Sequence, residues 1–338
     1  MKTKYMICSL VILLCVLTEN AWGANEQNTF QGTGAGVASN GSYNSFFGYY
    51  TGNKNNGDAN TFVGHCAGRE NNYGYFNTFI GIYAGWYNIV GSYNNFIGYA
   101  AGYVNQGNHN NFFGAEAGRK NTQGKWNIFF GHNAGYSNTT GSNNVLLGYQ
   151  AGYSNIIGSG NVFLGYQAGY NEKSSNKLYI NNSNAVNPLI YGNFSTKIVN
   201  INGKLGIGKK VPAYPIHLAS GARVTTGGVW TNASSREYKD NIKTLSAQEA
   251  LNALEGLNPV KFVYKADRGE QHVGFIAEDA PELVATKDRK GLSSMDIVTV
   301  LTKVVQEQQK TIERQQEIIS KHAEKIAQLE RSFTSKAE

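Results

Sequence analysis

Between Asn28 and Asn171 the sequence has only three carboxylates, Asp58, Glu70 and Glu116. They fall in different copies of a repeat and at different places within it, so the facing pair that glycoside cleavage uses is missing. Nor does an aspartate recur turn by turn, as calcium-binding roll repeats require. Cysteine is equally scarce. Cys8 and Cys15 lie in the first apolar run, and Cys66 has no intrachain partner, which excludes a disulfide framework and marks Cys66 as a small apolar core residue. His65 beside Cys66 is the nearest approach to a metal pair, but adjacent strand residues point to opposite faces. No metal or cofactor is expected. Beyond the first apolar run nothing is long enough to cross a membrane. The formal net charge of +7 is spread along the chain rather than gathered into a basic run, so nucleic acid is not an expected partner.

Lys2 and Lys4 precede an apolar run from Met6 to Leu17, and Ala21-Trp22-Gly23 sets small residues before Ala24. That order reads as a cleaved secretory signal at 1–23, because about 12 apolar residues fall short of the roughly 20 that span a bilayer. Neither cysteine in it follows a small residue at a cleavage point, so no lipid anchor is expected. The mature protein is predicted to be secreted or displayed at the cell surface.

The pattern Asn-x-Phe-x-Gly-x-x-Ala-Gly recurs nine times, beginning at Asn28, Asn44, Asn60, Asn77, Asn94, Asn110, Asn127, Asn144 and Asn161. The spacing is 16 or 17, and the extra residue sits in the linking turn, where Asn105-Gln106-Gly107 alternates with Asn88-Ile89-Val90-Gly91. Each unit reads as a short strand, a glycine at which the backbone turns, a second segment ending in Ala-Gly, and an Asn/Gly turn. A unit this small cannot bury its own apolar face, so stacking is required. The residue after the repeat's aromatic is usually apolar too (Phe47, Val63, Ile80, Ile97, Phe113, Phe130, Leu147, Leu164), and it faces the other way. One face fills a coil; the other needs a partner chain. The prediction is a mainly β protein, a parallel β-roll or solenoid that assembles side by side, with nine coils extending on the order of 40 Å.

These repeats resemble the coiled head repeats of trimeric bacterial surface adhesins and the Asn/Gly-rich repeats of bacterial fibre-like proteins. The resemblance implies a homotrimer of left-handed rolls. Trp86, Tyr87, Tyr103 and Trp126 could stack on a surface carbohydrate or other host ligand, or simply pack in a β structure. After Asn171, KLYINN, NPLIYGNF and KIVNINGKLGIG read as strands of a β-rich neck and linker over 172–233.

Ser246 with Glu249 forms a capping box for a helix through Leu254, ended by Gly256 and Pro259. VKFVYK (260–265) and QHVGFIAED (271–279) read as strands. From Leu292 the pattern is helical: Val298, Val305, Ile312, Ile319, Ile326 and Phe333 fall at a, and Leu301, Gln308, Gln315, His322 and Leu329 at d. That alternation of three and four predicts a coiled coil over 291–338, with Gln308, Gln315 and His322 as polar layers. Heptads alone leave two or three strands open.

SSREYKDNI, HVGFIAEDAPELV and the terminal helix together resemble the intramolecular chaperone and auto-processing domain of phage endosialidase tailspikes, also seen in bacterial fibres and in myelin regulatory factor. The resemblance implies that 234–290 is a chaperone domain, that the coiled coil is trimeric, and that a serine attacks the peptide bond on its own N-terminal side with a lysine assisting. The matching positions are Ser234 and Lys239, with Ala233–Ser234 as the scissile bond and Ile242 at the apolar position. The family's aspartate is Ser235 here and its arginine is Glu237, with Arg236 alongside. Ser235 is a rival nucleophile that would share a face with Lys239 on a helix. The expected activity is a single self-cleavage by a Ser-Lys pair; the alternative is an uncleaved structural or adhesive fibre.

Overall fold

The computed structural model describes residues 27–334 of the chain, and the expected signal peptide lies outside them. These residues form two compact units that divide between Ala233 and Ser234.

The first unit is a β-solenoid of about nine turns. Its strands are β1 (Thr29–Gln31), β2 (Ser45–Phe47), β3 (Thr61–Val63), β4 (Thr78–Ile80), β5 (Asn95–Ile97), β6 (Asn111–Phe113), β7 (Ile128–Phe130), β8 (Val145–Leu147) and β9 (Val162–Leu164). Each pairs in parallel with the next at a constant register, Phe30 opposite Phe46, Phe46 opposite Phe62 and so on. Only three residues per coil are strand; the Ala-Gly segment is a run of turns. The chain closes so quickly because two positions per coil that are often not glycine adopt the left-handed conformation, for example Tyr83 at φ 59° and Tyr93 at φ 57°.

The interior is a column of rings. Phe30, Phe46, Phe62, Phe79, Phe96, Phe112 and Phe129 stack with centroids 4.7–4.9 Å apart and planes within 4–9°. Leu146 replaces the ring in the eighth coil, and Phe163 closes the column edge-on against Tyr179 at 5.2 Å. Two glycines per coil make room. A Cβ on Gly64 (φ +136°) would lie 2.6 Å from the carbonyl oxygen of Gly81, and one on Gly68 (φ +56°) would run into the Phe62 ring.

Two ladders of buried asparagine run beside the rings. In the first, the repeat's leading asparagine accepts on Oδ1 from the backbone N–H of its successor: Asn77 N–H donates to Asn60 and Asn94 N–H to Asn77, both at 2.9 Å. Its Nδ2 donates to a glycine carbonyl, as from Asn77 to Gly91 at 2.8 Å. In the second, Asn71, Asn88, Asn105, Asn121 and Asn138 each donate from Nδ2 to the Oδ1 of the preceding coil's asparagine at 2.5–2.9 Å. The same amide also reaches a glycine carbonyl in its own turn, two residues on for Asn105 (Gly107, 2.6 Å) and three residues on for Asn88 (Gly91, 2.6 Å). The extra residue of the 17-residue coils therefore bulges between two anchored points and leaves the stack undisturbed.

The sheet continues through β10 (Lys177–Ile180), parallel to β9, then turns antiparallel into β11 (Ile190–Asn193) and β12 (Ile198–Ile201). A separate four-stranded sheet follows, β13 (Leu205–Ile207), β14 (Ile216–Leu218), β15 (Arg223–Val224) and β16 (Trp230–Thr231).

The second unit holds α1 (Ala247–Glu255), the hairpin β17 (Val260–Tyr264) and β18 (Asp267–Gly274), and α2 (Ser294–Thr334). The capping box is complete: Glu249 N–H donates to Ser246 Oγ, and Ser246 N–H donates to Glu249 Oε2 at 3.0 Å. The expected second strand is corrected. It begins earlier, at Asp267, whose carboxylate accepts from Gly269 N–H at 3.1 Å, and it stops at Gly274, so that residues 275–279 turn. The turn carries Ala280 into the core with Val284, Ala250 and Ala253.

On α2 the residues that reach this core are Ile297, Val300 and Val304. The heptad residues lie on another flank, and Val298, Val305, Ile312, Ile319 and Ile326 are 46–66% exposed. Among the described residues no helix is long and apolar enough to cross a membrane.

Candidate active site

The segment from Ala233 to Lys239 leads from β16 toward α1 and contains one short turn. Residues Arg236–Tyr238 form a single 3₁₀ turn, with Ser235 at its N-cap. Ser235 is extended (φ −63°, ψ 147°), and its hydroxyl accepts from Glu237 N–H at 3.4 Å. Serine is a preferred N-cap residue because its hydroxyl can accept from a backbone N–H of the first turn, as here.

Lys239 leaves the turn in extended conformation (φ −132°, ψ 132°), and its Nζ donates to Ser234 Oγ at 3.0 Å. The helix that would have set Ser235 beside Lys239 does not form. Ser234 and Lys239 are thus in contact, while Ser235 holds the turn. Ser234, Ser235, Glu237 and Lys239 are all exposed, as is Ile242, with Ala233 half-buried.

The chemistry open to this pair follows from its distance and its exposure. A serine hydroxyl becomes a useful nucleophile when a base takes its proton, and an amine serves as that base once it has lost its own. Removal from water favours the neutral amine. In the single chain both groups stand in solvent.

Other residues weighed from the sequence have structural partners. Asp58 accepts from Ser42 N–H at 2.7 Å, Glu70 pairs with Lys54 at 2.8 Å, and Glu116 pairs with Arg119 at 2.5 Å. His65 is exposed while Cys66 is buried. Burial pushes the Cys66 thiol up, against the pull of Arg69. Among the described residues no group of three or more His, Cys, Asp or Glu could hold a metal ion. Trp86 stacks on Tyr87 at 5.8 Å, the Arg119 guanidinium lies over Tyr103 at 5.5 Å, and Trp126 stacks on His109 at 6.1 Å. Tyr87 and Trp126 nonetheless remain 42% and 56% exposed.

A β-solenoid of about nine turns is thus followed by a small α/β unit whose first residue, Ser234, is in contact with Lys239. Residues 234–287 match the family model of peptidase S74, the chaperone of endosialidase, in agreement with the resemblance noted from the sequence. No curated protein and no solved structure matches the chain.

Proposed function

We propose that the chain is one subunit of an exported homotrimeric fibre or adhesin-like surface protein, and that its C-terminal domain drives assembly and then severs itself at Ala233–Ser234. The 3.0 Å contact between Lys239 Nζ and Ser234 Oγ, at the first residue of the family match, carries the cleavage reading. The exposed heptad flank of α2 supports the assembly reading, because a seam of Val298, Val305, Ile312, Ile319 and Ile326 is stabilised when like helices cover it as a coiled coil. Three copies would satisfy both that seam and the side-by-side packing expected of the solenoid, since one closed symmetry serves both ends.

In the assembled trimer the neighbouring chains would exclude water from the pair. Neutral Lys239 Nζ then takes the Ser234 hydroxyl proton as Oγ bonds to the Ala233 carbonyl carbon. The bond from that carbon to Ser234 nitrogen breaks, and the nitrogen takes the proton back from Lys239. The resulting ester joins Ala233 to Ser234 Oγ, and water hydrolyses it to a carboxylate and a free serine hydroxyl. Assembly acts as the switch.

The uncleaved fibre is the second reading, favoured by Ser235 and Glu237 where the family pattern has aspartate and arginine. Mass spectrometry of the purified assembled protein separates the two. Cleavage gives a fragment beginning at Ser234, and Ser234→Ala and Lys239→Ala each leave a whole chain that still sediments as a trimer, while Ser235→Ala still cuts. A fragment beginning at Ser235 moves the nucleophile by one residue. An intact wild-type trimer establishes the uncleaved fibre.

A further inference from the structure

We infer that the solenoids of neighbouring copies dock first through the outer sheet face of the last three coils, β7 to β9, and that contact then spreads toward the N-terminal coils. The inference rests on the trimeric reading above.

In every three-residue strand the middle side chain enters the coil, and the first and third point outward as two columns. The third-position column is apolar from Phe47 to Leu164. The first-position column changes character along the stack: Thr29, Ser45, Thr61, Thr78, Asn95 and Asn111, then Ile128, Val145 and Val162. Two of the polar residues partner one another inside the chain, Asn95 Nδ2 donating to Asn111 Oδ1 at 2.7 Å. From the seventh coil both columns are apolar, with Ile128 46%, Phe130 54% and Leu147 45% exposed and Val145, Val162 and Leu164 half-buried. Burial of apolar surface scales with its area, so this end of the face gains most from being covered.

The occupant is a second copy of this chain. No charged residue stands in either column, so the face offers a foreign partner no electrostatic steering. Each copy presents the same columns at the same strand spacing, so symmetric docking sets apolar against apolar along the stack. Copies joined through the heptad flank of α2 would hold their solenoids at high effective concentration.

The test uses the full chain with a photo-crosslinking amino acid at position 147, position 47 or position 73, Tyr73 being an exposed residue in a turn outside the strands. Irradiation should give chain-to-chain adducts at 147 and 47 and none at 73. Leu147→Lys, or Phe130→Lys as a second variant, should abolish the adduct at 47, while Phe47→Lys leaves the adduct at 147 intact. All three substituted positions are outward, so tryptophan fluorescence should confirm that the solenoid still folds. Equal losses from either end, the reverse order, or adducts only at 73 overturn the inference. Wild-type protein that sediments as a trimer without adducts at 147 also overturns it and leaves the trimeric reading standing, whereas a wild-type monomer removes both.

Discussion

In the solenoid a buried phenylalanine lies between the rings of the coils on either side, and the asparagines beside it bond to their counterparts 16 or 17 residues away. In α2 the most regular apolar pattern in the chain, Val298 to Ile326, stands 46–66% exposed. One region is completed by its own neighbours in sequence; the other is left unfinished by a single chain. The stability of the first is in the main a sum over adjacent coils, with a smaller share from docking of its outer face, and should depend only weakly on protein concentration. That of the second should rise with concentration, since anything that binds only the folded form stabilises it by mass action.

Two spectroscopic signals keep the regions apart. Of the tryptophans, Trp86, Trp126 and Trp230 lie in the first unit and none in the second, while the long helix is in the second. The largest effect expected is that of Phe96→Ala. Phe96 is fully buried, with rings at 4.8 Å on one side and 4.9 Å on the other, and losing it should cost about 3–5 kcal/mol. Denaturant unfolding should show a lower midpoint by tryptophan fluorescence and an unchanged midpoint by helical circular dichroism. An equal fall in both would show that the two units unfold as one and would break the comparison.

A smaller effect is expected from Ser246→Ala, on the opposite side of the comparison. It removes the reciprocal cap with Glu249 at the start of α1, a loss of about 1 kcal/mol. Ala250 and Ala253 of α1 share a core with Val300 and Val304 of α2, so the helical midpoint should fall while fluorescence stays in place. A shift in fluorescence instead would assign that cap to the wrong cooperative unit.

The same contrast explains what could be read from the sequence. The nine coils, their strand positions and the inward phenylalanines follow from periodicity, because each rung repeats the same contacts. The Ser246 cap and the start of the long helix follow from local signals. Ser234 and Lys239 were legible as positions through the family resemblance, but their contact depends on a 3₁₀ turn that sequence alone left open between helix and linker. The second asparagine ladder was visible only as turn residues, because a hydrogen bond between coils leaves no local signature beyond recurrence. The role of Val300 and Val304 was hidden for a different reason: on α2 two apolar flanks overlap in sequence, and the heptad accounts for only one. The strand expected to run through residues 275–279 failed because its apolar residues serve a turn that packs Ala280 beneath α1.

The smallest effect tests how the self-completed region ends. Glu172 occupies the place that asparagine holds in the second ladder of the preceding coils. Its carboxylate accepts from Ser174 N–H at 2.7 Å and from the Tyr179 hydroxyl at 2.9 Å. Burial alone would raise the Glu172 carboxyl, but the hydrogen bonds from Ser174, Tyr179 and the Lys173 backbone outweigh it and hold the group below its usual range. On Tyr179, burial and the bond to Glu172 push the hydroxyl up. A folded-state value below the unfolded one means that the carboxylate stabilises the fold above the unfolded value of about 4.3, and that this contribution is lost as pH falls through the lower folded value. Glu172→Gln keeps a carbonyl acceptor and removes the charge. The wild type should therefore hold a small advantage in its fluorescence midpoint at pH 7, and the two proteins should converge as the pH is lowered below the unfolded value of about 4.3. If the difference is the same at both ends of that range, the charge of Glu172 contributes nothing to closing the ladder, and the last coil is held by the pairing of β9 with β10 and by neutral hydrogen bonds such as Asn161 Nδ2 to the Ser174 carbonyl.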